Sequence, residues 1–277
     1  MDRQSFVSNG AAKYNGAGGP NNAHAAPALA GLADWFSTPQ GRHVLAWELE
    51  QFASATEDVF GFRARQAGLP GIDFLAGNRI PFHFTVAIES GAALAADPLQ
   101  LPLAGQSVDL VVLPHALEFS IHPHQSLREA QRVLMPEGHA VITCFNPWSL
   151  WGLRRLFTRA HDSYPWSGDF ITLPRLKDWL ALLELEVDSG RMGCYLPPCA
   201  HEKWLQRFRF MEAAGDRWWP IAGGVYFLRV VKRLRGMRVI LPRWREQLAR
   251  RRKLAVVPEK VATGDDAWAA RNITRRQ

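Results

Sequence analysis

The strongest constraint on this chain is a strand–helix–strand succession near its middle. Val108 to Leu113 is an apolar run, the mark of a strand buried on both faces of a parallel sheet. His122 to Met135 follows with helical spacing. Pro123 stands near its start, Leu127, Ala130 and Leu134 form one apolar face, and Gly138 lies just past its end. His139 to Phe145 is a second apolar run of strand length. Strand, helix and strand joined by short loops are the repeating unit of a doubly wound α/β sheet.

The flanks extend the pattern. Thr38 and Pro39 read as the N-cap and first position of a helix whose Leu45, Leu49 and Phe52 recur at i, i+4 and i+7. Asp58 to Phe62 is short and β-prone, and Phe82 to Ile88 alternates like a strand. Ala92 to Leu103 reads as a strand ending in a turn. Downstream, Leu173 to Leu183 has helical character, and Leu185 to Arg191 and Val225 to Val231 are further strands. An aromatic-rich insert, Trp204 to Trp219, separates those last two. Its Trp204, Phe208, Phe210, Trp218 and Trp219 suit either a lid over an apolar substrate or, by the commoner use of such residues, the core of the insert.

Composition matters mainly at the two ends. The body has ordinary globular usage, 47% hydrophobic and 21% charged over 277 residues. Residues 1–33 are expected to form a disordered lead: Met1 to Ala30 is rich in Gly, Asn and Ala without apolar period, and order is expected from about Asp34. The α/β domain then spans 34–235, and 236–277 is a basic arm. Eleven Lys or Arg fall between Arg229 and Lys253 against one acid, Glu246, so the net charge of +7 is concentrated there. Residues 229–253 could meet nucleic acid or an anionic surface weakly, or be a solvated tail. No apolar segment approaches the length of a transmembrane span and no signal peptide is evident, which points to the cytoplasm. Cys194, Cys199 and His201 resemble half a zinc site. They lack a second ligand pair, so a structural role is expected and no metal.

The stretch Ala96-Asp97-Pro98-Leu99-Gln100-Leu101-Pro102-Leu103, followed by Ser107-Val108-Asp109-Leu110-Val111, resembles the middle of class I S-adenosylmethionine-dependent methyltransferases of the type 11 group. Leu127-Arg128-Glu129-Ala130, Arg132-Val133-Leu134 and Pro136 to His139 are similar to that group's next helix and strand. Trp35-Phe36, Thr38-Pro39, Phe60-Gly61-Phe62, Gln66, Gly68-Leu69-Pro70, Asn78 to Pro81 and Phe145-Asn146-Pro147 extend the likeness to a bacterial subfamily, over roughly Trp35 to Lys232. The resemblance implies a Rossmann-like sheet of seven strands, with the last, Val225 to Val231, entering antiparallel between its neighbours. It also implies S-adenosyl-L-methionine as cofactor.

Ligands of such sheets lie beyond the carboxyl ends of the strands. There Asp97 could accept from the adenine amine or simply cap the Pro98 turn, while Pro98 and Leu99 border the ring. His115, at the end of the fourth strand, suits either the pocket wall or the core. The glycine-rich loop of the family is expected at Phe60 to Gly68, giving Gly61, Phe62, Gln66 and Gly68 as cofactor candidates. That run departs from the family by placing Arg63 and Arg65 between two glycines. Glu89 is the one candidate for the ribose hydroxyls, only eight residues before Asp97. His122 and His124 suit capping or solvent. Asn146-Pro147 resembles a motif of amino-methyltransferases, but it follows the fifth strand and lacks the second proline. The implied function is methyl transfer to an unspecified acceptor, with no catalytic residue assigned. The alternative is a methyltransferase-fold binding protein with lost or weakened cofactor binding, associated with RNA through its basic arm.

Overall fold

The computed structural model describes residues 25–88, 91–157, 164–199 and 201–233. Glu89 and the arm beyond residue 233 therefore lie outside the described residues. So do residues 1–24 of the expected lead.

Seven strands form one sheet: β1 (Arg63–Ala67), β2 (Phe82–Ala87), β3 (Leu94–Ala95), β4 (Val108–Pro114), β5 (Leu134–Phe145), β6 (Leu185–Gly193) and β7 (Val225–Lys232). Their order is β3-β2-β1-β4-β5-β7-β6, and β7 runs antiparallel to both β5 and β6. This is the Rossmann-like methyltransferase arrangement that the resemblance implied. Along β4, Leu110 and Val112 enter one core while Val111 and Leu113 enter the other. A strand covered on both faces needs apolar residues in both phases of its period, which is why Leu110 to Leu113 reads as an unbroken run.

The first core lies under α1 (Ala25–Phe36) and α2 (Pro39–Thr56), and the second under α3 (Pro123–Val133) and α5 (Leu173–Leu182). Thr38 caps α2 as its sequence predicts, its hydroxyl accepting from Gly41 N at 3.1 Å. Among the described residues there are three further short helices, α4 (Leu150–Phe157), α6 (Glu202–Arg207) and α7 (Phe210–Trp218).

Several expectations change. Order begins before Asp34: α1 starts at Ala25, and Leu29, Leu32, Trp35 and Phe36 bury one face of it. The Ala-rich run supports a helix, and those four side chains supply the packing that short helices require. In α2 the buried stripe runs through Val44, Glu48, Phe52 and Thr56, one position round from the expected one, with Leu45 and Leu49 at its border. Helix α3 stops at Val133 because Leu134 already has extended backbone and pairs with Val108 in the sheet. In the insert, Trp204, Phe210, Trp218 and Trp219 are exposed, and α6 buries no residue, so these aromatics are not core.

Candidate functional site

A narrow cleft opens where the carboxyl ends of β1, β2 and β4 meet the turn that follows β3. It encloses about 460 Å³ with its open mouth counted, and Gly68, Ile88, Asp97, Leu99, Ala116 and Ile121 are among its walls. Asp97 Oδ1 accepts from Leu99 N at 2.8 Å, and Gln100 N reaches the Asp97 carbonyl at 3.0 Å. Of the two roles read for Asp97, the turn cap is therefore present, and the same side chain also borders the cleft. Pro98 and Leu99 line the wall beside it.

β1 is displaced from its expected place. It starts at Arg63, so Gly61 and Phe62 precede the strand and sit at its amino end, roughly 20 Å of strand from its carboxyl end. There Asp109 Oδ2 accepts from Phe62 N at 2.8 Å and Arg63 N at 2.9 Å. A Cβ on Gly61 would meet the Asp109 side chain at 2.4 Å, so this glycine permits a close crossing at the sheet's far edge. Arg63 and Arg65 are likewise strand residues and line no part of the cleft. Arg65 is buried beneath α3, and burial pushes its guanidinium down to about 10 against the pull of Glu129.

The loop that faces the cleft begins at Gly68. This glycine has φ +72°, and a Cβ there would come within 2.8 Å of Leu29 Cδ1 on α1. Gln66 organises the loop from below. Its buried amide nitrogen lies 3.1, 3.0 and 2.7 Å from the carbonyls of Gly68, Leu69 and Ile72, and its oxygen accepts from Phe74 N at 3.0 Å. Both ends of the amide are thus occupied by backbone. No helix joins β1 to β2; the segment 68–81 runs instead against α2, with Phe74 edge-on to Phe52 at 5.0 Å.

His115 belongs to the floor of the next loop. It is fully buried, stacked on Phe145 at 4.2 Å, with φ +51°. Its Nδ1 lies 2.6 Å from Glu118 and its Nε2 2.7 Å from Glu48. Glu118 also accepts from Phe145 N. Burial alone would push the imidazole down, but the two carboxylates overcome it and hold His115 up, at about 10. Burial likewise raises Glu118, against the opposing pull of His115. Three ionisable groups from α2, the end of β4 and the following turn thus pin the segment 115–121, whose Ala116, Phe119, Ser120 and Ile121 form a cleft wall. His115 supports this wall from behind and does not line it.

Sequence reasoning missed Glu48, Glu118 and Leu29. Glu48 did carry a signal: it stands midway between Val44 and Phe52 on the helical repeat, a charge within an apolar stripe. The remaining candidates have structural work. Asn146 Nδ2 donates to Ile221 O and Gly223 O at 2.8 and 2.9 Å, and its Oδ1 accepts from Trp148 N, so it clamps the end of β5 to the start of β7. His122 caps α3 without a side-chain bond, and His124 lies 3.7 Å from the Trp179 ring. Among the described residues, no group of three or more His, Cys, Asp or Glu is arranged to hold a metal.

The chain is similar to several known proteins. Residues 83–142 match a methyltransferase domain. Over 92 residues the chain is 48% identical to uncharacterized protein YafS of Escherichia coli K12, a match spanning 33% of this chain and 38% of that one. The fold is similar to a chain in the complex of the Haloferax volcanii Trm112 methyltransferase activator with a methyltransferase (TM-score 0.50, 16% identity, 75% of this chain and 98% of that one). An S-adenosylmethionine dependent methyltransferase from Mesorhizobium loti is also similar (TM-score 0.48, 15% identity, 73% and 99%). No described helix is long and apolar enough to cross a membrane.

Proposed function

We propose that this chain, which has the class I methyltransferase fold and a methyltransferase domain over its central strands, binds S-adenosylmethionine and transfers its methyl group to an acceptor. The observation that carries this reading is the Asp97-Pro98-Leu99 turn on the wall of a cleft at the carboxyl ends of the parallel strands. The Asp97 carboxylate, which accepts from Leu99 N in the turn, is the kind of acceptor that the exocyclic amine of adenine requires. Pro98, Leu99 and Ile121 offer apolar edges for the ring. Gly68 brings bare backbone to the end of β1, where a side chain would run into Leu29.

The bound cofactor would supply an electrophilic methyl group. Methyl transfer is an in-line displacement, so the protein's part is to hold the reactants in line and keep water out. Leu29 and Phe119 are the apolar side chains placed to exclude water from the cleft.

Asp97→Ala should weaken binding of S-adenosylhomocysteine by about 1–3 kcal/mol, measured by calorimetric titration. Asp97→Asn should keep the turn, because its amide oxygen can still accept from Leu99 N. Absence of both titration heat and thermal shift in the wild type at millimolar ligand would overturn the reading. A second reading, weakened cofactor binding, is favoured by the contact of Leu29 with the Gly68 position. Under it, Leu29→Ala should tighten binding; unchanged or looser binding argues that α1 is no obstacle.

A further inference from the structure

Helix α4 presents its apolar side to water. Trp151 and Gly152 face the body, where Trp151 Nε1 donates to Leu196 O at 2.9 Å. Leu153, Leu156 and Phe157 point outward, the last two 80% and 81% exposed. A short amphipathic helix normally turns that stripe to the core. Just before it stands Trp148, 74% exposed.

The insert carries further exposed apolar residues. Asn146 holds Trp148 N and the carbonyl of Ile221 on one side chain, so the backbones of these two exposed residues lie close together. Trp218 and Trp219 precede Ile221, and Trp218 is 71% exposed. Arg154 donates to Pro198 O, which ties α4 to the segment leading into α6.

The flanking charge is mostly positive. Lys203, Arg207, Arg209 and Arg217 on α6, α7 and their junction are exposed and form no ion pair among the described residues. Of the three acids on these segments, Glu212 is turned inward to His43 and to the backbone of Tyr195 and Leu196. Only Glu202 and Asp216 remain exposed.

We propose that this rim docks on an anionic lipid bilayer, with the tryptophans and α4 aliphatics entering the interface and the cations meeting headgroup phosphates. Exposed Trp, Phe and Leu beside Lys and Arg is the residue set of interfacial helices. Single-stranded nucleic acid would use the aromatic rings and the arginines, but it has no stacking use for Leu153, Leu156 or Ile221. A protein partner would need pockets for side chains that protrude this far, whereas a fluid bilayer accepts protrusions without matching shape.

The test is co-sedimentation of the full chain with phosphatidylcholine vesicles containing about one-third phosphatidylglycerol, with pure phosphatidylcholine vesicles as control. Brominated acyl chains should quench tryptophan fluorescence on binding. The double variant Leu153→Glu, Phe157→Glu should partition roughly tenfold less or worse. Its melting temperature should be unchanged, because both side chains are already exposed. Trp218→Ser should lower both binding and quenching. No binding by the wild type overturns the proposal. Undiminished binding by the double variant also overturns it, placing the contact elsewhere, residues 234–277 included. Preference for a single-stranded oligonucleotide over vesicles, with the same sensitivity to these variants, overturns it in favour of nucleic acid.

Discussion

His115→Phe is expected to destabilise the protein by about 3–5 kcal/mol at neutral pH, the cost of breaking a buried charged network by removing one partner. The substituted ring would keep the stacking on Phe145, so the loss isolates the ionic contribution. It leaves Glu48 and Glu118 facing each other without the imidazole between them. Burial already holds the Glu118 carboxyl up, and without the imidazole it should take up a proton more readily, so the deficit should shrink as pH is lowered. Denaturant unfolding of wild type and variant at several pH values reads this directly.

The wild type carries its own pH signature. His115 binds its proton more tightly in the fold, up to about 10 against an ordinary 6.5. The stabilisation it contributes is therefore fully present below about 6.5 and is lost as pH rises towards about 10. Glu118 is also raised by burial, but its contribution begins to be lost above the ordinary 4.5, ahead of the His115 window. The thermal midpoint should fall across that window. A flat profile between pH 7 and 10, or a variant deficit below about 1 kcal/mol, would show that the network is not charged as described. Since the same network pins residues 115–121, faster amide exchange in that segment should accompany the loss.

Gln66→Leu is the second large effect. The side chains are similar in size, but leucine removes both the donor serving Gly68, Leu69 and Ile72 and the acceptor serving Phe74 N. Buried backbone groups left without partners cost about 1–3 kcal/mol each. Water entering an open loop would satisfy some of them, so a total of about 2–4 kcal/mol is expected. Gln66→Glu should do little better: a carboxylate can still accept from Phe74 N, but it turns acceptor oxygens towards three carbonyls. Hydrogen exchange should show 68–74 opening ahead of the global transition. If both variants melt like the wild type, the amide is not what shapes this loop.

The central architecture was legible because it depends on near neighbours in sequence. The runs Val108 to Leu113 and His139 to Phe145 with a helix between them identify two parallel strands whatever surrounds them, and Thr38-Pro39 announces a helix start by its own chemistry. The Asp97-Pro98-Leu99 turn is also local, closing over two residues. β1 is different. Phe60 and Phe62 have the β propensity, yet the strand is Arg63–Ala67, because pairing with β2 and β4 decides which residues enter the sheet. That register carries a charged side chain, Arg65, into the interior and brings Gly68, not Gly61, to the loop that faces the cleft.

The helix face followed the same logic: Glu48 is buried because His115, 67 positions away, pairs with it. Local pattern reports which side chains prefer to leave water. Which polar groups can do so without penalty depends on partners that only the folded chain brings together. The close approach of Leu29 to Gly68, the clasp of Gln66 and the Glu48–His115–Glu118 network are therefore properties of the tertiary structure, while the central strand–helix–strand succession and the start of α2 could be read from the chain alone.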